Sequence, residues 1–193
     1  MRYPVEHKQQ TRERIVRAAS RRFRRHGSEG AVIGDLMRDL RLTHGGFYRH
    51  FDSKEDVLVA AFELGLADTA ARAEKGVKTA APGGELKAMI DAYLDIEHCE
   101  DVEGGCPVAA LAAEIPRRPR KTRDAMLRAL REHVSRFEPY VPGRSDDERR
   151  LNTITLLSGM AGTMSLARAF VDVEHRRRIL DGARRFYLQA LTR

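Results

Sequence analysis

The stretch with the densest chemistry is LTHGGFYRHF, Leu42–Phe51, which packs two adjacent glycines, three aromatic rings, two histidines and an arginine into ten residues. Each glycine weakens a helix interior by roughly 1 kcal/mol relative to alanine, so a glycine pair implies that something must approach this backbone closely. Thr43 is placed to cap a short helix, and a helix N-terminus also favours an anion such as a phosphate. Gly45 and Gly46 keep the first turn bare. His44 can bond a base edge or a phosphate, and Arg49 can pair bidentately with guanine. Tyr48 offers a hydroxyl, and Lys54 a point charge, to a phosphate backbone. Phe47 and Phe51, four residues apart, fall on the opposite face and should enter a core. Taken singly, Arg49 could be solvated and His50 a packed or capping residue. As an ordered set they point to double-stranded DNA.

These side chains need a scaffold, and the preceding residues supply one. From about Lys8 to His26, Ile15, Ala18, Ala19 and Phe23 form an apolar stripe on a first helix, while Arg12, Arg14, Arg17, Arg21, Arg24 and Arg25 lie largely off it. Gly27 marks its C-terminal stop. A short second helix follows, about Ile33 to Leu40, with Ile33, Leu36, Met37 and Leu40 at helical spacing. It is too short to stand alone and must pack on the first. A tight turn then leads to the helix capped by Thr43, and two short helices joined in this way are a helix-turn-helix, whose second helix enters the major groove. Ser53 with Asp56 resembles a capping box for a long fourth helix, about 53–75.

Met1 to about Phe62 resembles the DNA-binding domain of the TetR (tetracycline repressor) family of bacterial transcriptional regulators. THGGFYRHFDSKED carries the resemblance, with Thr43, Gly45, Phe47, Tyr48, His50, Phe51, Ser53, Lys54 and Glu55 in the family's pattern. Gly46 stands where that pattern often has a hydroxyl residue and Arg49 where it often has a second Tyr, so base preference does not transfer. The resemblance also implies DNA contacts from the N-terminus of the second helix, adding Val32 and Gly34. Beyond the head it implies a variable helical domain that binds a small ligand and dimerises through its last two long helices. Repression is the family's usual outcome.

Charge placement agrees. Thirteen of the 35 Lys/Arg but only six of the 28 Asp/Glu lie in Met1–Lys54, leaving 22 of each beyond it, so the whole net charge of +7 belongs to the N-terminal quarter. This is the distribution expected where one small module meets a polyanion, although a solvated basic helix would carry the same surplus. Two cysteines make no disulfide framework, no secretory leader begins the chain, and the longest apolar stretch, from Val57, is too short to span a bilayer and contains Glu63. The expected location is cytoplasmic and nucleoid-associated. There is no HExxH, no glycine-rich phosphate loop and no paired-cysteine zinc spacing, so the chain is not expected to be an enzyme and no cofactor or metal is implied.

The expected fold class is all-α, with about nine helices: a three-helix head over 1–54 and a helical ligand-binding and dimerisation domain over 55–193. In the second domain, Leu151, Ile154, Ser158, Gly162 and Ser165 on one helix, with Ile179, Ala183, Phe186 and Tyr187 on the next, are the candidate interface of an isologous homodimer. A monomer's core could use the same stripes. Met89, Tyr93, Cys106, Met126, Leu130, Phe137, Met160 and Met164 are candidate walls of an effector pocket, though methionines also fill ordinary cores. Cys106 follows two glycines and precedes Pro107, a helix-start pattern that lowers a thiol pKa. It is either an oxidant or electrophile sensor or a buried inert thiol. The functional expectation is a regulator that binds a palindromic operator as a dimer and is released by a small molecule or by cysteine modification. The alternative is an architectural DNA-binding protein without a ligand.

Overall fold

Ile15, Ala19 and Phe23 recur along one helical face, and in the structure, a computed structural model describing residues 5–192, all three are buried at 1% exposure or less. They belong to α1 (Val5–Gly30). Gly27 breaks this helix with φ 70 and ψ 173, a left-handed conformation that glycine enters without steric cost. After it come α2 (Ile33–Asp39), α3 (His44–Phe47) and α4 (Lys54–Thr79). The second half of the chain holds α5 (Glu85–Tyr93), α6 (Ile96–Glu100), α7 (Pro107–Leu111), α8 (Arg120–Phe137), α9 (Asp146–Ala169) and α10 (Val173–Leu191). There is no strand among the described residues.

Two cores form, and α4 serves both. Its first half gives Val57, Leu58, Ala61, Phe62 and Leu66 to a core shared with Ile15, Phe23, Leu36, Met37, Phe47 and Phe51. Its second half gives Ala70, Ala73 and Val77 to a core built with α5, α8, α9 and α10. Each large side chain buried there contributes roughly 1.5–3 kcal/mol. Ser20 on α1 ties the first core together by donating its hydroxyl to the Ala61 carbonyl of α4, 2.8 Å away.

Two local expectations need correction. The long connector does not stop near Lys75 but continues to Thr79. Gly76 is a point of close helix crossing, where a Cβ would lie 3.3 Å from the Ala88 carbonyl of α5. Arg24 is not on the solvated side of α1: it is 5% exposed, and its Nη1 donates to the Gly105 carbonyl at 2.9 Å. The turn between α2 and α3 is closed by Arg41 at φ 57, with Leu42 N donating to Met37 O at 2.8 Å and Arg41 N to Arg38 O at 2.9 Å. That is a Schellman closure with arginine in the left-handed position usually held by glycine.

Candidate nucleic-acid interface and effector cavity

Thr43 sets the geometry of the head. It is extended, at φ −75 and ψ 149, and its side chain accepts from Gly46 N at 3.2 Å, starting α3 as a single turn. A Cβ on Gly46 would lie 3.2 Å from that Thr43 oxygen, whereas nothing lies within 4 Å of the corresponding point on Gly45. Gly46 therefore makes room for the cap. Gly45 leaves open space on the outer surface. Phe47 and Phe51 stack at 5.5 Å between centroids inside the core, and this fixes the opposite face outward. On that face Thr43, His44, Gly45, Tyr48 and Arg49 are exposed, Tyr48 at 59%. Lys54, in the first turn of α4, and Gly34 are half-buried beside them, and Val32 is exposed at the start of α2. Gly34 of α2 meets α3 directly, since a Cβ there would lie 3.7 Å from His44 Nδ1.

Half-buried His50 plays a different part from its neighbours. Its backbone carbonyl accepts from Arg12 Nη1, and the Arg12 guanidinium lies 4.0 Å over the Phe51 ring. Burial, then Lys8, Arg12 and Arg49, hold its imidazole below the ordinary pKa, so it is uncharged at neutral pH. Arg22 joins α1 to α2 through Asp39 at 2.5 Å and Asp35 at 3.5 Å, and Arg14 donates to the Leu40 carbonyl at 3.4 Å. Arg22, and Arg41 in the turn, carry no signal in the sequence, and Arg12 and Arg14 show there only as residues off the apolar stripe. Their partners become visible only once α1 and α2 are packed.

In the second core, α5, α7, α8 and α9 enclose a largely apolar cavity of about 540 Å³. Tyr93, Cys106 and Leu130 of the expected walls line it, joined by His133, Ile154 and Ser158. The other expected walls belong to packing. Met89, Phe137, Met160 and Met164 fill the second core, and Met126 faces the first. The Tyr93 hydroxyl is buried with no nitrogen or oxygen partner and lies beside the Cys106 thiol; burial, then Cys106, raises its pKa well above 10. His133 is pushed down to about 4 by burial, then by Arg136. At the rim Arg150 pairs with Glu138 at 3.2 Å. The lining therefore combines apolar walls and the uncharged groups of Tyr93, His133 and Ser158 with the charged side chains Arg131, Glu132, Glu138 and Arg150.

Cys106 occupies the N-cap of α7 with Pro107 in the first turn, and its thiol is only 2% exposed. Its backbone N–H donates to His98 Nε2 at 3.1 Å, and His98 Nδ1 donates to the Tyr93 carbonyl at 2.6 Å. Both ring nitrogens are thus engaged in fixed roles.

The α9 and α10 stripes divide. Leu151, Ile154 and Phe186 are exposed at 64%, 44% and 65%, and a Cβ on Gly162 would meet nothing within 4 Å. Ser158 is exposed beside the cavity, and Ser165, also exposed, donates to the Ala109 carbonyl of α7 at 2.5 Å. Ile179, Ala183 and Tyr187 are half-buried against the second core. Tyr187 lies over Gly159, where a Cβ would sit 3.0 Å from its ring.

Comparison with known proteins places both halves. The family of bacterial regulatory proteins named tetR matches residues 15–61, and the tetracyclin repressor-like C-terminal domain matches residues 82–185. The solved structure of a TetR transcriptional regulator from Chloroflexus aurantiacus J-10-FL is 26% identical, covers 96% of this chain and 98% of its own, and superposes with a TM-score of 0.72. A TetR regulator from Legionella pneumophila shares the fold at 20% identity, with a TM-score of 0.75 over 94% of this chain and 97% of its own. An HTH-type transcriptional regulator from the lacX 3′ region of Lactococcus lactis subsp. lactis is 27% identical over 108 residues, 54% of this chain and 55% of that protein. The HTH-type regulator YfiR of Bacillus subtilis (strain 168) is 30% identical over 90 residues, 47% of this chain and 42% of YfiR. The chain thus spans about half the length of the curated relatives it matches. No helix among the described residues is long and apolar enough to cross a membrane. With its capped recognition helix, its two cores and a match that runs through both halves, the chain belongs to the TetR family of transcriptional regulators.

Proposed function

We propose that the protein is a repressor that binds a palindromic operator as a homodimer and is released when a small molecule enters the second-core cavity. The observation that carries this proposal is the pairing, in one chain, of an outward recognition face with a mostly apolar cavity of about 540 Å³. Thr43, Tyr48 and Lys54 contact phosphates; His44 and Arg49 read base edges; Gly45 and Gly46 let the backbone approach; Val32 and Gly34 lie at the margin. Two heads are needed for a palindrome, because half-sites recur one helical turn or a multiple of it apart. The exposed apolar residues Leu151, Ile154 and Phe186 support a second copy as the partner. An effector with higher affinity for a head spacing that misfits the operator lowers DNA affinity by linkage. The protein then works in the cytoplasm, on the nucleoid.

Release by modification of Cys106 is the second route, favoured by its thiol facing the cavity at the start of α7. At 2% exposure the thiol is reached only through that cavity, so the two routes share one entrance. Intact-mass spectra without a Cys106 adduct after mild oxidant, or full release in Cys106→Ser, would remove the second route. The main test is selection of bound sequences from a randomised duplex pool at near-physiological salt, since phosphate contacts mask specificity when salt is low. A recovered palindrome is expected. A pool that stays random overturns the operator-reading proposal in favour of an architectural DNA-binding protein.

A further inference from the structure

The segment between α6 and α7, Asp101–Cys106, is irregular, yet it is held from four directions. Arg168 of α9 donates to the carbonyls of Cys99 and His98, both at 3.0 Å, and of Asp101 at 3.4 Å. Arg72 of α4 stands 3.6 Å from the Asp101 carboxylate, which also accepts from Gly104 N at 2.8 Å. His98 receives the Cys106 N–H, and Arg24 of α1 donates to the Gly105 carbonyl at 2.9 Å. The two glycines are required by this compression. A Cβ on Gly104 would overlap the Asp101 carboxylate, and one on Gly105 would sit 2.7 Å from the Asp101 carbonyl. Such a turn has no slack: an object that displaces its last residue must also move the peptide before it.

That last residue, Cys106, is a wall of the cavity, and the peptide before it is the acceptor for Arg24. Arg24 is 5% exposed and passes Gly65 of α4, where a Cβ would come within 3.0 Å of both its Nη1 and Pro107. Asp68 and Asp101 stabilise the buried charge, and its Nε has no partner. A buried guanidinium that loses an acceptor cannot turn to water, so α1 must re-seat. The same helix grips the recognition unit through Arg22, Arg14 and Arg12. The other polar links between the halves, Arg25 to Glu103, Glu114 to Ser28 and Arg118 to Glu29 and Glu55, involve no residue of the cavity wall, and Val108, which lines the cavity and packs against the first core, makes only apolar contact there.

We propose that the Asp101–Cys106 turn transmits occupancy of the cavity to the DNA-reading head, with Arg24 as the residue that carries the displacement into α1. This rests on the proposed function, and linkage makes it testable from the DNA end without knowing the effector. Amide hydrogen exchange of the full chain would be followed by mass spectrometry, free and bound to the selected duplex. DNA should protect residues 32–54 and also slow exchange in 98–108 by at least about three-fold. Arg24→Met should bind the duplex and protect 32–54 as before, while the effect on 98–108 disappears. Arg25→Ala should behave like the parent. If Arg24→Met does not fold, Arg24→Lys, which keeps the charge near Asp68 and Asp101 but shortens its reach, serves with the same expectation. Protection of 32–54 without any change in 98–108 of the parent, or a change that survives loss of Arg24, overturns the relay and leaves the DNA-reading proposal standing. No protection of 32–54 overturns both.

Discussion

Lowering the pH from 6.5 to 4.5 should destabilise this protein by about 4 kcal/mol, through His98 and His133. Both imidazoles are almost fully buried, at 1% and 6% exposure, and both have pKa values lowered to about 4. For His98 burial is the main cause; the bond to the Tyr93 carbonyl opposes it, and Arg72 and Arg168 reinforce it. Because the unfolded chain binds a proton near 6.5 and the folded chain does so only near 4, the unfolded state carries more protons throughout that window. Stability is therefore complete above 6.5 and declines as pH falls toward 4, each histidine contributing about 2 kcal/mol of loss by pH 4.5. The lowered pKa of His50 adds a contribution of the same sign. Carboxylates held low by hydrogen bonds, such as Glu29 to Arg118 and Glu148 to Arg144, lose their contribution as pH falls through the ordinary carboxylate range and below it.

Equilibrium urea unfolding at fixed protein concentration, between pH 4.5 and 7.5, measures this directly, with concentration held because self-association would shift the midpoint. His133→Leu keeps the side chain apolar and removes one titration, so the loss over the window should fall to about half. A flat profile between 6.5 and 4.5, or a slope unchanged by His133→Leu, would refute the assignment of neutral buried imidazoles. His98→Gln gives a further distinction, since an amide can still donate to the Tyr93 carbonyl and accept from Cys106 N while no longer titrating.

Three other substitutions test separate parts of the structure. Arg41→Gly should stabilise the head by up to about 1 kcal/mol in urea unfolding, because a non-glycine residue in the left-handed region costs roughly 1–2 kcal/mol and glycine returns part of that as chain entropy. Tyr48→Phe should weaken binding to all duplexes about equally and flatten the salt dependence, whereas Arg49→Ala should relax preference at one base position, both read by titration against the selected duplex and its single-base variants. Phe186→Glu should weaken self-association by at least about ten-fold in sedimentation equilibrium, since an isologous contact would bring two like charges together.

What the sequence reveals and what it conceals divide on physical lines. Phe47 and Phe51 were legible because their spacing allows only one shared face, and the Thr43 cap because its geometry is local. Met126 and Phe137 lie on the same helix and read as walls of one pocket, but α8 spans two cores: Met126 belongs to the first and Phe137 to the second. Periodicity identifies a buried side without saying against which core it is buried. Gly76 reads as a stop, since glycine ends helices more often than it thins them for a crossing partner, and only Ala88 on α5 decides between the two. Arg24 is the extreme case. Its acceptor is a carbonyl 81 residues away, and a backbone acceptor has no residue type for a sequence to display. Contacts of that kind, side chain to distant carbonyl, also hold the Asp101–Cys106 turn through Arg168. The glycines of the GGCP motif were visible as an oddity, and their necessity appears only when the arginines that compress them are in place.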